Sequence, residues 1–144
     1  MITDSSVTIA ADARVVWETF ADVEAWPTWT ASVTRLTALG ERDLAVGRRY
    51  RIEQPRMPKL VWEVTELDPG VSWTWRQRSP GGTTLASHWV EPQPDGTTLV
   101  RQRIDQRGPI GVLVGVLMRR LTRRYLELEA QGVKAASERR AAAA

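Results

Sequence analysis

The sequence predicts an α+β domain in which one strand and two short helices precede an antiparallel meander, and one long helix closes the chain. Turn signals recur at intervals of about 8–12 residues, which is typical of strands joined by hairpins. They are Asp68-Pro69-Gly70, Pro80-Gly81-Gly82 and Pro94-Asp95-Gly96. After Gly108-Pro109 the pattern changes from strand alternation to the spacing of a helix.

The elements follow in order along the chain. Val7 and Ile9 alternate within Ser5–Ala10 and predict the first strand. Asp12 can cap a helix that runs to Phe20. Asp22–Trp29 is a second short helix or turn, limited by Pro27 and anchored to the sheet by its two Trp residues. Six further strands are predicted at Ser32–Leu39, Arg48–Gln54, Lys59–Leu67, Val71–Ser79, Thr83–Val90 and Thr97–Gln106.

The last part of the chain predicts a single helix over Ile110–Ser137. Its inward stripe is Val112, Val116, Met118, Leu121, Tyr125 and Leu128. At about 1.5 Å per residue, such a helix crosses the whole domain. We expect residues 138–144 to form a frayed tail and residues 1–144 to form one domain.

Composition excludes several classes of protein. A hydrophobic fraction of 42% and a charged fraction of 26% are ordinary for a globular protein. No apolar run is long enough for a membrane span, and no secretory signal is evident, so we expect a cytoplasmic protein. With Cys absent and His88 alone, we expect no disulfide and no metal site, and nothing calls for a cofactor.

The net charge of +3 does not indicate nucleic-acid binding. Of 20 basic residues only Lys59 and Lys134 are Lys. Acidic residues alternate with the basic ones along most of the chain, so no stripe of a single sign emerges. Nucleic acid is therefore not an expected partner.

The sequence has seven Trp residues but only one Phe. The alternation of side chains along each strand predicts which way the Trp side chains point. In Val71–Arg78 the apolar positions share one face with Gln77, so that face is inward. The other inward positions are Tyr50, Ile52, Gln54, Leu60, Trp62, Val64, Glu66, Val100, Gln102, Ile104 and Gln106, together with Trp73 and Trp75. In Thr83–Val90 either His88 or Trp89 points inward, or a bulge presents both.

Glutamines on the inward face admit two interpretations. Burying an amide without a partner costs on the order of 1–3 kcal/mol, so a dry core disfavours it. Gln54, Gln77 and Gln102 either touch water or each other at strand ends, or they orient a guest in a cavity with Trp and aliphatic walls.

Four segments carry a family resemblance: Asp12–Trp17, Asp22–Trp29, Trp62–Pro69 and Asp95–Thr98. With this order of elements, the chain resembles the polyketide cyclase/dehydrase-like branch of the START/Bet v 1 (SRPBCC) superfamily over nearly its whole length. The resemblance implies a helix-grip fold, in which a curved sheet of six to seven strands wraps a long C-terminal helix and leaves an apolar tunnel. Members include polyketide cyclases and lipid or hormone binders, without a shared catalytic motif.

Few residues qualify for chemistry. If His88 points inward, it can serve as a general acid/base because its ordinary pKa lies near neutrality. Tyr50 and the inward amides could hold a carbonyl, and Glu66 is the alternative base. Gly111 and Gly115 let the last helix approach the sheet or leave space at a cavity mouth. The arginines after Met118 indicate a solvated face that pairs with Glu127 or Glu129.

These observations lead to one function and one alternative. We expect a hydrophobic, ring-containing small molecule to bind between the sheet and the last helix of a carrier or sensor. The expected ligand-binding residues are Tyr50, Ile52, Gln54, Trp62, Val64, Trp73, Trp75, Gln77, Gln102, Gly111 and Gly115. The alternative is a cyclase or dehydratase acting on a poly-ketone, with His88 as the catalytic residue. A homodimer is left open.

Overall fold

A seven-stranded antiparallel sheet forms the body of the protein, in a computed structural model that describes residues 1–144. The strands are β1 (Ile2–Ile9), β2 (Arg35–Ala38), β3 (Arg49–Glu53), β4 (Leu60–Asp68), β5 (Ser72–Ser79), β6 (Gly82–Pro92) and β7 (Thr98–Arg107). Their order across the sheet is β1-β7-β6-β5-β4-β3-β2, which confirms the predicted meander from β2 to β7 and places β1 beside β7.

Two short helices follow β1, as the sequence predicted. Helix α1 (Ala13–Phe20) begins at Asp12, whose side chain accepts a hydrogen bond of 3.0 Å from the Val15 amide. This bond satisfies one of the free amides at the helix start. A 3₁₀ helix (Val23–Thr28) contains Pro27, and the missing amide of Pro27 suits a tight, irregular turn.

An aromatic core fills the space between α1, the 3₁₀ helix and the middle of the sheet. Phe20 and Trp26 are stacked at 5.5 Å, and Phe20 also meets Trp73 edge-on at 4.9 Å. His88 joins this core, since it is 3% exposed. Trp89 therefore points outward, where the Arg101 guanidinium lies 4.8 Å from its ring centre.

The predicted single C-terminal helix is wrong. The chain forms α2 (Pro109–Leu117) and α3 (Arg119–Ala143), which meet at Met118. Helix α2 lies on β6 and β7, whereas α3 packs against β1 and α1, so the backbone must turn between them. Val112 and Val116, assigned to the inward stripe, are 43% and 59% exposed, because the two glycines of α2 face the sheet instead.

Helix α3 extends beyond Ser137 to Ala143, so the expected frayed tail is helical almost to its end. Glu138 accepts a hydrogen bond from the Ala10 amide and pairs with Lys134 at 2.8 Å, and Arg140 pairs with Glu18. These contacts tie the end of α3 to β1 and α1. Neither helix is both long enough and apolar enough to cross a membrane.

A bulge in β4 corrects the predicted position of Glu66. The register between β4 and β5 shifts between Val64 and Glu66, which reverses the alternation of side chains beyond that point. Glu66 is consequently exposed, and Leu67 packs against the core in its place.

Candidate functional site

A cavity of about 490 Å³ lies between the inner face of the sheet and the two C-terminal helices. Its walls are mostly aromatic and aliphatic. The apolar lining comprises Trp26, Val33, Ile52, Met57, Pro58, Leu60, Trp62, Trp75, Ala86, Ile104, Val114, Leu117, Met118 and Leu126. The polar lining comprises Gln54, Gln77, Ser79, Thr84, His88, Gln106, Thr122, Tyr125 and Glu129.

Strand parity located about half of the predicted ligand-binding residues on this cavity. Those that line it are Ile52, Gln54, Trp62, Trp75 and Gln77, and the predicted catalytic residue His88 lines it as well. Tyr50, Val64, Trp73, Gln102, Gly111 and Gly115 are not part of the lining. The two groups share strand faces, so parity alone cannot separate core positions from cavity positions.

The predicted residues outside the lining have structural contacts. The Tyr50 hydroxyl donates to the carbonyls of Arg42 and Asp43, and Val64 is 1% exposed within the core. Trp73 is stacked on His88, with ring centres 4.1 Å apart. Gly111 and Gly115 bring α2 onto the sheet, where an added Cβ at 115 would meet the amide of Gln106 at 2.6 Å.

His88 is held by the core and is neutral at physiological pH. Its Nδ1 lies 3.3 Å from the Trp73 carbonyl. Because a carbonyl only accepts, Nδ1 carries the proton in this contact and Nε2 is left as an acceptor. Burial lowers the pKa of His88 to about 3, against the opposing effect of the Trp73 carbonyl. The geometry therefore suits His88 for accepting a hydrogen bond at neutral pH better than for taking up a proton.

Glu129 is a candidate functional residue that the sequence analysis missed. It projects from α3 into the cavity and is 7% exposed. The Ser32 hydroxyl donates to its Oε2 at 2.8 Å, and the Gln102 amide donates to its Oε1 at 3.0 Å. Burial raises the pKa of Glu129 to about 7, although both hydrogen bonds oppose this rise. A carboxyl that titrates near neutrality in an apolar cavity can exchange protons or hold a cation.

The predicted pairing of the α3 arginines with Glu127 or Glu129 is wrong. Glu129 lies on the buried face with Tyr125 and Val133, four residues away on either side. This spacing is the signal that could have found it, because i and i+4 positions share one helix face. The nearby arginines drew the assignment toward the solvated face instead.

The inward glutamines divide between the two interpretations offered by the sequence. Gln54, Gln77 and Gln106 line the cavity, as expected of amides that orient a guest. Gln77 also donates at the end of its strand to the Arg78 carbonyl and the Ser79 hydroxyl. Gln102 is buried beneath Glu129, and the amide oxygens of Gln102 and Gln106 have no partner.

The architecture is that of a helix-grip, Bet v 1-like protein with a cavity between sheet and helices. A family model for polyketide cyclase/dehydrase and lipid transport proteins matches residues 2–138. The chain belongs to this family, which confirms the resemblance carried by the sequence motifs. Among proteins of curated function, none matches this sequence.

Solved structures agree on the fold. A hypothetical protein from Helicobacter pylori has a TM-score of 0.83 at 14% identity, covering 95% of this chain and 88% of that chain. Norcoclaurine synthase from Thalictrum flavum, in complex with dopamine and hydroxybenzaldehyde, has 0.72 at 12% identity, with coverage of 94% and 84%. The di-domain ARO/CYC StfQ of the steffimycin biosynthetic pathway has 0.74 at 15%, covering 98% of this chain but 51% of that chain.

Proposed function

We propose that this protein is a cytoplasmic carrier or sensor that binds an apolar, ring-containing small molecule in the cavity between the sheet and the C-terminal helices. The observation that carries the proposal is the cavity itself, whose walls include Trp26, Trp62 and Trp75. Flat indole rings offer large apolar surfaces to a ring system without the entropy cost of flexible side chains.

Size and polarity support a drug-sized guest. The volume of about 490 Å³ falls within the range of about 300–1,000 Å³ that is usual for small-molecule pockets. A few polar groups among mostly apolar walls fix the orientation of a ligand in such pockets. A neighbour of the same fold, norcoclaurine synthase, holds the aromatic compounds dopamine and hydroxybenzaldehyde.

Fluorescence titration tests the proposal. An apolar naphthalene derivative should quench Trp emission saturably, because three indoles line the cavity. Trp62→Phe should reduce the quenching, whereas the matched change Trp89→Phe should not, since Trp89 lies on the outer face of the sheet. Non-saturable quenching, or equal loss in both variants, would count against binding in this cavity.

A second function, cyclisation or dehydration of a poly-ketone, is favoured by one observation. Glu129 places a carboxyl with a pKa of about 7 inside the cavity, where it can remove a proton from carbon next to a carbonyl. The fold neighbour StfQ is an ARO/CYC protein. In this mechanism Glu129 is the base, and His88 stays a hydrogen-bonding partner rather than the catalytic residue first expected.

The two functions differ in what a substitution removes. For an enzyme, Glu129→Gln should lower turnover by about 10²–10⁴-fold while affinity for the ketone changes little. His88→Asn should lower turnover far less than Glu129→Gln does. If His88→Asn lowers turnover more, His88 is the catalytic residue. If the protein is a carrier, neither the wild type nor the two variants should turn over a poly-ketone.

A further inference from the structure

Glu129 is the one carboxyl among the residues that line the cavity, which include no Lys or Arg. Its two hydrogen-bond donors, Ser32 and Gln102, are both neutral. None of the ion pairs in the protein involves Glu129. When it is ionised, the protein therefore supplies no counter-charge to this buried carboxylate. Buried charges in proteins are normally paired, so Glu129 either stays protonated in the empty cavity or takes a counter-charge from outside the chain.

Several acceptors in and beside the cavity lack a donor from the protein. His88 uses Nδ1–H on the Trp73 carbonyl, which leaves Nε2 as an acceptor without a protein partner. The amide oxygen of Gln106, which lines the cavity, is buried and unpartnered, and so is that of Gln102 beneath Glu129. The unpartnered buried groups that can donate belong to Trp29, Arg51, Trp73 and Ser137, none of which lines the cavity. The cavity thus offers acceptors that lack donors.

We infer that the ligand is a ring compound that carries a hydrogen-bond donor, specifically a protonated amine, and that Glu129 is its counter-charge. This inference rests on the proposed binding function and names the class of ligand. An ammonium supplies up to three N–H donors, which can satisfy the carboxylate and the acceptors beside it. A charge-assisted bond in a site with apolar walls is stronger than a bond between neutral groups.

The same acceptors disfavour a ligand with carbonyl groups alone. A poly-ketone in its keto form brings only acceptors, and these would face the oxygens of Glu129 without an intervening hydrogen. Such a ligand binds best when Glu129 is protonated, even though the removal of a proton by Glu129 requires its ionised form. The amine and the ketone therefore make opposite demands on the charge of one residue.

A set of probes with a common ring separates these demands. 1-Naphthylmethylamine carries a cationic hydrogen-bond donor, and 1-naphthylmethanol carries a neutral donor. 1-Acetylnaphthalene carries only an acceptor. We expect affinity to fall in that order. Glu129→Gln should weaken the amine by roughly tenfold or more and leave the ketone unchanged or stronger. Glu127→Gln is the matched control, because Glu127 lies on the same helix and is exposed.

The dependence on pH provides a second readout. Affinity for the amine should rise between pH about 6 and about 8, because Glu129 ionises over this range. The other titratable groups that face the cavity do not change charge there: on β6 the pKa of His88 is lowered to about 3, and on α3 burial raises the pKa of Tyr125. The side chains that β3, β4, β5, β7 and α2 contribute to the lining are not titratable.

Failure of the inference is distinguishable from failure of the proposed function. If none of the three probes binds, the binding function fails. If all three bind equally, if the ketone binds best, or if Glu129→Gln preserves the preference, only the inference is overturned. Should Glu129→Gln not fold, Ser32→Ala removes one stabilising donor, and it should weaken the amine selectively at neutral pH.

A separate observation concerns the outer surface of α2. Six of its nine residues are aliphatic side chains that are 41–74% exposed: Ile110, Val112, Leu113, Val114, Val116 and Leu117. Its two buried residues, Gly111 and Gly115, face the sheet. Contiguous exposed apolar surface of this kind marks an interaction site.

Charge around α2 indicates what covers it. From Gly108 to Leu126 the chain contains no acidic residue, and the four arginines of this segment form no ion pair. These arginines are Arg119, Arg120, Arg123 and Arg124, and all are exposed. A second copy packed on α2 would bring one uncompensated basic segment against another. An anionic surface would neutralise them.

We propose that α2 and these four arginines dock on the surface of an anionic lipid bilayer. Apolar side chains enter the acyl boundary, and the guanidinium groups contact lipid phosphates and carboxylates. Val114 and Leu117 also line the cavity, so the docked surface adjoins the cavity mouth.

Co-sedimentation with phosphatidylcholine vesicles, with and without phosphatidylserine, tests this surface. We expect binding only with phosphatidylserine, weakened by NaCl and lost in Leu113→Glu/Leu117→Glu and in Arg119→Glu/Arg120→Glu. Val46→Glu is the control, because Val46 is 60% exposed in the loop between β2 and β3. Binding to both vesicles alike, to neither, or a dimer in solution that Leu117→Glu dissociates would overturn the proposal.

Discussion

At the scale of single residues, His88 shows how the aromatic core controls a titration. The ring lies between Trp73 and Phe20, with no carboxylate beside it. Protonation would bury a charge without a partner, so the fold holds the pKa of His88 at about 3. The unfolded chain gives His88 its ordinary pKa of 6.5.

This difference predicts a loss of stability in acid. The contribution of the neutral His88 is fully present above pH 6.5 and is lost as pH falls toward 3, because the unfolded chain takes up the proton first. The slope reaches about 1.4 kcal/mol per pH unit. Urea unfolding of wild type and His88→Asn should show their difference in unfolding free energy shrinking over this window. Parallel profiles would contradict the burial of His88.

Trp26 and Trp29 should differ in what they stabilise. Trp26 is 2% exposed, donates to the Phe20 carbonyl at 2.8 Å and also lines the cavity. Truncating such a Trp to Ala costs about 3–5 kcal/mol. Trp29 is half-buried, its Nε1 has no partner, and it does not line the cavity. Trp26→Ala should therefore have a lower melting temperature than Trp29→Ala in thermal unfolding. Ligand affinity should fall only in Trp26→Ala.

Residue types and parity found the walls of the cavity but not its charged group. Trp62, Trp75 and Gln77 could be assigned because β-strands alternate strictly. Glu129 was assigned to the solvated face because of the nearby arginines, although its spacing from Tyr125 and Val133 indicates the buried face. Its burial depends on Ser32, which is 97 residues away along the chain.

At the scale of elements, turn chemistry predicted the strands to within a few residues, and helical periodicity failed at Met118. Asp-Pro-Gly and Pro-Asp-Gly each require a backbone that ends a strand. No such turn signal marks the break between α2 and α3, because the residue at the break is Met118 rather than Gly or Pro. The break arises because α2 packs on β6 and β7 whereas α3 packs on β1 and α1. Helical periodicity in the sequence does not reveal these tertiary contacts.

Substitution by Ala should have different effects on stability at two helical glycines, Gly115 and Gly132. Ala is favoured over Gly in a helix by about 1 kcal/mol. At Gly115 the added Cβ meets the movable amide end of Gln106, so Gly115→Ala should be close to neutral in stability. At Gly132 the added Cβ would clash with the Trp29 carbonyl oxygen, and a backbone atom cannot move away without a large cost in free energy.

Gly132→Ala should therefore lower the melting temperature sharply by lifting α3 from the end of the 3₁₀ helix. Differential scanning calorimetry of Gly115→Ala, Gly132→Ala and the wild type provides the comparison. Equal melting temperatures for the two variants would show that the contact between α3 and Trp29 is not as close as described.

At the scale of the whole molecule, the sheet and helices hold two buried titratable groups with opposite effects. Folding lowers the pKa of His88 and raises the pKa of Glu129 from 4.5 to about 7. Below its pKa Glu129 is neutral and costs the fold little. Its contribution to stability is fully present below pH 4.5 and is lost as pH rises through about 7.

Between pH 4.5 and 6.5 the two linkages oppose each other, so their joint effect on the unfolding free energy of the empty protein is small. Glu129→Gln removes one of them. The stability of this variant relative to wild type should therefore rise with pH from about 4.5 to about 7, by up to about 1.4 kcal/mol per unit. Urea unfolding at a series of pH values measures this, with Glu127→Gln as the exposed control on the same helix. A constant difference between Glu129→Gln and wild type would mean that Glu129 is solvated in solution, and a difference shared by Glu127→Gln would assign the effect to the charge of α3 as a whole.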